Sequence, residues 1–392
     1  MPRYGATVLG GAETHCRILA EDLARNGSRV TVLTTCAIDH FTWANELPEG
    51  GTVENGVTVR RFPVGPRDPD LWLGHHTSIA LGHELRYSSQ LEWMANSVWS
   101  PQMLDAVSDE RRYDWIVPIP YLFGTTFWAT AVRPDRTAVI PCIHDEPHAR
   151  QTVVLDCLAG AKGLMPNTAT ERELIASMLD HHRGGCGDIA RRAPLVAVGY
   201  HETEPPGDAE VTAFCQRYGI ERGYLLYAGR REQGKGVDDL FSLYREYRAA
   251  VPNPRPLALI GTGHLATPKD LLPHVLDLGF VADEDMAAGF AGASALIHPS
   301  RLESLGMILL EAWLAGTPAI VNGHSPVLVE HCQHGGGLWW TSPAEFIEAV
   351  QLVTEDTEVS ARLAAAGRQY VHERFTWPEV RRRFLGALEG WS

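Results

Sequence analysis

Residues 300–320 read SRLESLGMILLEAWLAGTPAI. The apolar run after Gly306 is helix-forming, and Gly316-Thr317-Pro318 separates it from the strand-like Ala319–Val321. Another strand-like run, Ala295–Ile297, precedes it, so the stretch is the centre of a strand–loop–helix–strand unit. Two carboxylates, Glu303 and Glu311, interrupt it. Core helices rarely keep a carboxylate buried without a partner, so either both acids reach water or they hold a ligand. Eight helical steps would separate them by about 12 Å along an axis and about 80° around it.

The alternation extends in both directions. Tyr224–Ala228 and Leu257–Ile260 precede the unit, with helical stretches between them. Earlier, helical spacing over Thr14–Asn26 stops at Gly27, and the β-branched run Val30–Thr35 follows. Val57–Phe62, Trp115–Ile119, Ala138–Ile143 and Gly163–Met165 are further strand candidates. The stretch Ala193–Asp208, containing Pro and Gly, reads as the connection between two such series. The predicted fold class is α/β, with two doubly wound, Rossmann-like domains facing a central cleft, and ligands at the carboxyl ends of the strands. PRYGATVLGGAE looks like the loop after a first strand with only Met1 and Pro2 before it, so a missing or truncated first strand is expected.

A length of 392 residues suits two domains, and 45% hydrophobic with 21% charged residues is ordinary globular composition. The net charge of −14 disfavours a nucleic-acid binder or a protein held on anionic lipid by charge alone. Arg183, Arg191 and Arg192 form the one basic cluster and read as a solvated linker. Seven cysteines without a Cys-x-x-Cys pair make neither a disulfide framework nor a zinc ribbon, which points to a reducing cytoplasm. Residues 115–132 carry no charge over a span's length, but Pro118, Pro120 and Gly124 interrupt them, favouring a buried strand, turn and helix start.

Several turns have chemistry. YLLYAGRREQGKG, residues 224–236, nearly matches a phosphate loop, but Gly236 stands where a magnesium-ligating Ser or Thr would be. What remains is a strand end, a glycine turn and the cations Arg230 and Lys235 before a helix starting near Asp238. That combination suits a diphosphate, with a solvated turn as the plain alternative. LALIGTGHLA, residues 257–266, imitates a dinucleotide fingerprint through Gly261, Gly263 and Ala266, and a tight turn beside a nucleotide explains it equally well. Gly10 and Gly11 precede a helix and let backbone donors approach an anion or sugar, unless they form a plain turn. His324, His331, Cys332 and His334 lack a metal-ligand spacing and read as loop histidines. Asp283, Glu284 and Asp285 read as a solvated helix start.

Taken together, GGAE at 10–13, His144 in CIHDEP, GRREQGKG at 229–236, IGTGH at 260–264, LGFVADEDM at 278–286 and HPSRLESLGMILLEAWLAGTPAI at 298–320 resemble a retaining glycosyltransferase of family 4, with the GT-B fold. FTW at 375–377 resembles the closing segment of that family. Leu305 replaces the more usual Phe, and VAVGYHE at 196–202 only loosely resembles the inter-domain signature.

The resemblance implies an acceptor-side domain over 1–194, a nucleotide-sugar-binding domain over 195–374, and a helix over 375–392 that returns to the first. It places Glu303 in the loop facing the donor sugar and Glu311 on the ribose hydroxyls. Backbone near Ser304, Leu305 and Gly306, with Gly10, Gly11 and Gly263, supports sugar and phosphate. Arg230 and Lys235 stabilise the departing diphosphate without a metal or other cofactor. His144 lies near the donor sugar, and no protein nucleophile is implied. The expected partners are a nucleotide sugar and an acceptor that is a small molecule, glycan or lipid-linked group, in the cytoplasm or peripherally at the inner membrane face. Trp72, His75, His76, Trp93 and Trp99 are candidates to shape an acceptor pocket, or core residues. Competing readings are a GT-B nucleotide-sugar epimerase, a catalytically idle binding subunit and, more distantly, a dehydrogenase or P-loop hydrolase.

Overall fold

The computed structural model describes residues 1–8, 10–109, 112–182, 184–263 and 265–392. Of the residues singled out above, Arg183 and His264 lie outside them. The chain divides into two compact units, Met1–Gly199 with Trp377–Ser392, and Tyr200–Thr376.

In the first unit, β1 (Thr31–Thr35) pairs in parallel with β3 (Val57–Phe62), and β2 (Gly50–Glu54) runs antiparallel on the far side of β3. The hairpin between β2 and β3 turns on Asn55-Gly56, both at positive φ, which matches the right-handed strand twist. On the free side of β1, Met1 donates its amine to Leu33 O at 3.1 Å, and Pro2 O accepts from Thr35 N at 3.2 Å. β4 (Ala138–Val139) and β5 (Gly163–Leu164) form a second, short parallel pair.

The expected strands at 115–119 and 138–143 are cut back here to a bridge between Ile116 and Thr137 and to β4. Pro118, Pro120 and Pro141 have no N–H to give to a ladder, and Cys142 at φ 51 turns the chain out of extended conformation. Trp93, Met94, Val153, Leu158, Ile175 and Leu179 form part of the core beside this pair. The helix Trp377–Trp391 belongs to this unit: Arg381 pairs with the buried Asp22 at 2.7 Å, and Trp391 lies against Gly163.

The second unit is a six-stranded parallel sheet: β6 (Tyr224–Ala228), β7 (Leu257–Ile260), β8 (Val275–Gly279), β9 (Ala293–His298), β10 (Ala319–Asn322) and β11 (Gly337–Trp340), in the order β11-β10-β9-β6-β7-β8. β6, β7 and β10 are buried along their whole length, as strands covered on both faces must be, and their sequences are correspondingly apolar. The helix Val237–Ala250 buries Val237, Leu240, Phe241, Tyr244 and Tyr247, a stripe at helical spacing. The chain builds outward from β6 through β7 to β8, then returns to lay β9 on the other side of β6. The winding direction therefore reverses between β6 and β9, and ligands of doubly wound sheets bind outside the carboxyl ends at such a point. Among the described residues no helix is long and apolar enough to cross a membrane.

Candidate functional site

Two loops leave the sheet at this reversal. The first, Gly229–Gly236, follows β6, and the second, Pro299–Gly306, follows β9. Gly236 joins them: it has φ 72, and a Cβ there would stand 2.5 Å from Pro299 O, so glycine meets both the conformation and the close approach. Across the gap Lys235 Nζ donates to Glu303 Oε1 at 2.8 Å, and His298 Nε2 lies 3.8 Å from the same oxygen. Burial alone would raise the Glu303 carboxyl, but Lys235 first and then His298 outweigh it and hold it down at about 2. Glu303 is therefore ionised at neutral pH although only 13% of its side chain is exposed.

A third loop follows β7. Gly263 pairs with Arg231, and a Cβ on Gly263 would meet Arg231 O at 2.4 Å. The Arg231 side chain is ion-paired with Asp277 of β8, whose carboxylate also accepts from Gly279 N at 3.0 Å. The Arg230 side chain is 43% exposed and pairs with Glu232 at 3.1 Å. Its carbonyl accepts from Tyr227 Oη at 2.7 Å.

Helix Met307–Leu314 opens on Gly306 at φ 71, with Leu305 and Gly306 buried and Ser304 half-buried. Eight helical steps from Glu303 to Glu311 are not realised, because Gly306 in left-handed conformation delays the helix and leaves Glu303 free to turn toward Lys235. Glu311 lies one turn inside the helix. Burial pushes its carboxyl up to about 7, and the neighbouring Asp283 adds to the rise. Among the described residues its carboxylate has no hydrogen-bonding partner. Tyr200 donates to Met307 O at 3.3 Å, and burial followed by the Glu311 charge raises its phenol well above the ordinary value.

Of the histidines expected in loops, His324 and His334 do stand in turns, and His331 departs from that expectation. His331 lies on the helix Pro326–Gln333 and is 1% exposed, while His334 caps that helix. His331 Nε2 lies 2.8 Å from Leu305 O, and Nδ1 lies 2.9 Å from Tyr370 Oη. The acids 283–285 do open a helix, but Asp285 is engaged by Arg217 and by Tyr218 Oη at 3.0 Å.

The remaining predicted residues belong to the first unit. Gly10 caps the helix Gly11–Arg25, whose Glu13 pairs with Arg3, and Gly11 is exposed. His144 is 31% exposed, and its Nδ1 lies 3.0 Å from Glu146 Oε1, which also accepts from Tyr121 Oη at 2.6 Å. An ionised Glu146 accepts only, so Nδ1 carries a proton toward it. Burial opposes ionisation of Glu146, but the His144 and His148 rings and the Tyr121 hydroxyl hold it below the carboxylate range. Beneath this turn the buried Glu171 accepts from Ile143 N at 2.7 Å and Asn167 N at 2.6 Å. Glu146 stood within the quoted CIHDEP, whereas Glu171 lay in an unremarked helix start, TATERE.

Trp93 is buried in the core, and half-buried Trp72 stacks on His76 at 4.5 Å between ring centroids. Arg191 and Arg192, expected to be solvated, pair with Asp180 and Asp188 on an exposed surface.

Known proteins resemble this chain in sequence and fold. Residues 216–370 match the family described as Glycosyl transferases group 1. D-inositol 3-phosphate glycosyltransferase of Frankia alni is 26% identical over 93% of this chain and 91% of its own. Mannosylfructose-phosphate synthase of Agrobacterium fabrum is 22% identical over 99% and 88%. Sucrose-phosphate synthase from Thermosynechococcus elongatus superposes with a TM-score of 0.70 at 16% identity, covering 99% of this chain and 95% of that one. Anabaena HepE in complex with UDP-glucose superposes at 0.69 with 18% identity, covering 99% and 98%. The fold is GT-B, with two Rossmann-like domains. The match over the second unit and the relatives along nearly the whole chain support a glycosyltransferase.

Proposed function

We propose that this chain is a retaining, metal-independent glycosyltransferase of family 4, which moves a sugar from a nucleoside-diphosphate donor to an acceptor hydroxyl. The observation that carries the reading is the Lys235–Glu303 pair at the carboxyl ends of β6 and β9. It sets a cation for the diphosphate beside an ionised acid for the sugar hydroxyls, where the sheet reverses its winding. The UDP-glucose held by the structural neighbour HepE supports a nucleotide sugar as donor.

Lys235 has three N–H donors and Glu303 takes one, leaving two for phosphate oxygens. Arg230, exposed and tied by one bond to Glu232, has donors to spare. Together they stabilise the charge that grows on the diphosphate as the bond from the anomeric carbon to the phosphate oxygen breaks. The acceptor oxygen bonds to that carbon on the same face, and the acceptor proton passes to the leaving phosphate oxygen. No protein nucleophile is needed. The amides of Leu305 and Gly306 stand at a helix amino end, where unpaired N–H groups favour an anion. Gly263 supports the phosphate side, Ser304 the sugar, and Glu311 accepts from the ribose hydroxyls. In the first unit, Gly10, Gly11 and His144 are assigned to the same reaction, with His144 oriented by Glu146.

The test is incubation of the purified chain with EDTA and UDP-, GDP- or ADP-sugars, read by thermal shift and mass spectrometry. The names of two relatives put D-inositol 3-phosphate and fructose phosphate first among acceptors to try. Transfer with the anomeric configuration kept, abolished by Lys235→Ala and Glu311→Ala, is the expected result. Unimpaired transfer by both variants would refute the site, and epimerised donor without any acceptor would replace the reaction.

A further inference from the structure

His331 is a buried titratable group that this mechanism leaves unused, and it is tied to the candidate site through Leu305. Both ring nitrogens are engaged, and the two contacts fix its tautomer. The Leu305 carbonyl only accepts, so Nε2 carries the proton, and Nδ1 accepts from the Tyr370 hydroxyl. Burial lowers the imidazole pKa and keeps the ring neutral, in agreement with that assignment. Trp313, Tyr370 and Phe375 surround it at 6.4, 5.7 and 5.9 Å between ring centroids, each edge to face. An imidazole buried this deeply stays only because both nitrogens are satisfied.

The consequence lies in the peptide it holds. Leu305 C=O and Gly306 N–H belong to one planar trans peptide and point in opposite directions. Pulling the carbonyl inward to His331 turns the Gly306 N–H outward, and among the described residues that N–H has no acceptor. The same helix presses on the loop from its side: a Cβ on Gly306 would stand 2.8 Å from Leu328 Cδ2.

We propose that His331, oriented by Tyr370, is a positioning residue that aims the Gly306 amide at the donor diphosphate and so sets diphosphate affinity. The inference rests on the function proposed above. It predicts an effect confined to the phosphates, which general loosening of the fold would not produce.

The experiment measures binding of UDP, GDP and ADP, and of uridine, guanosine and adenosine, to the full chain by calorimetry. The wild type is compared with His331→Leu, His331→Gln and Tyr370→Phe. For the base that the wild type prefers, His331→Leu is expected to weaken diphosphate binding about tenfold and Tyr370→Phe about threefold. His331→Gln, whose amide can still donate to Leu305 O, is expected to recover most of the loss. Nucleoside binding is expected to change less than about twofold in every variant, since no phosphate is involved. Equal losses for nucleoside and diphosphate, or no diphosphate loss, would overturn the proposal. Should His331→Leu fail to fold, Tyr370→Phe and His331→Gln decide by the same comparison. A wild type that binds none of the three diphosphates refutes the donor-site reading itself, and this inference falls with it.

Discussion

Replacing Lys235 with alanine is expected to damage stability and turnover by separable routes. The ammonium lies 2.8 Å from a Glu303 carboxylate that is 13% exposed, and the carboxyl is held at about 2 against an ordinary 4.5. That difference corresponds to about 3 kcal/mol of preference for the ionised form. His298 and Ser300 supply part of it, and the Lys235 side chain is 32% exposed, so solvent screens the pair. We assign roughly 2 kcal/mol to Lys235. For a unit of this size the melting temperature should fall by about 4–8 °C at pH 7.

The pH dependence has a definite sign. A carboxyl with a depressed folded pKa contributes stability that is complete above 4.5 and fades as pH falls toward 2. The gap between wild type and Lys235→Ala should therefore be widest at neutral pH and about 0.4 kcal/mol narrower by pH 3.5. Adding Glu303→Gln removes the titrating group, so the double variant should lose the pH dependence that this carboxyl gives the wild type between pH 4.5 and 3.5. Turnover should stay at least about 100-fold down in Lys235→Ala and in the double variant, because the diphosphate lacks its cation in both. Calorimetric melts from pH 7 to 3.5 with a donor-consumption assay check all of this. A Lys235→Ala melt within about 1 °C of wild type at pH 7, or a double variant whose melting temperature falls from pH 4.5 to 3.5 as steeply as the wild type's, would show that the pair does not support the site.

Glu311→Gln should stabilise the ligand-free protein by roughly 3 kcal/mol at pH 8 and by only about 1 kcal/mol at pH 5, because a carboxyl raised to about 7 loses its contribution as pH climbs from 4.5 through 7. Paired melts at the two pH values test it, and weaker nucleoside binding by the same variant separates the ribose role from the stability effect. Gly263→Ala should raise the donor KM several-fold and destabilise by about 2 kcal/mol, since its Cβ would collide with Arg231 O at 2.4 Å; donor titration and urea unfolding measure both. Glu171→Gln has one acceptor oxygen for two backbone N–H groups, at Ile143 and Asn167. It should cost about 1–3 kcal/mol, read by urea unfolding, and reduce turnover through the displaced His144 turn.

The parts of this molecule legible in its sequence are those where one local signal decides the outcome. β3, β6 and β7 have the ends read from the sequence, and for β6 and β7 the reason is that a strand buried on both faces must be apolar throughout and stops where that ends. β8 was passed over because Asp277 interrupts its run, and that residue is polar because it pairs with Arg231. β2 was missed although Asn55-Gly56 marks its hairpin, since its face is exposed and gives no apolar alternation. The candidate site divides similarly. Lys235, Glu303 and Glu311 stand in motifs that read along the chain, but nothing local shows that Lys235 reaches Glu303 across 68 residues. That contact depends on β6 and β9 lying side by side, which strand order alone decides. His331 is the extreme case. With Cys332 and two further histidines nearby it suggests a metal or a loop, and only the fold sets Leu305 O on one side of it and Tyr370 on the other. A buried histidine acquires its meaning from the two groups that satisfy it, and both are remote in sequence.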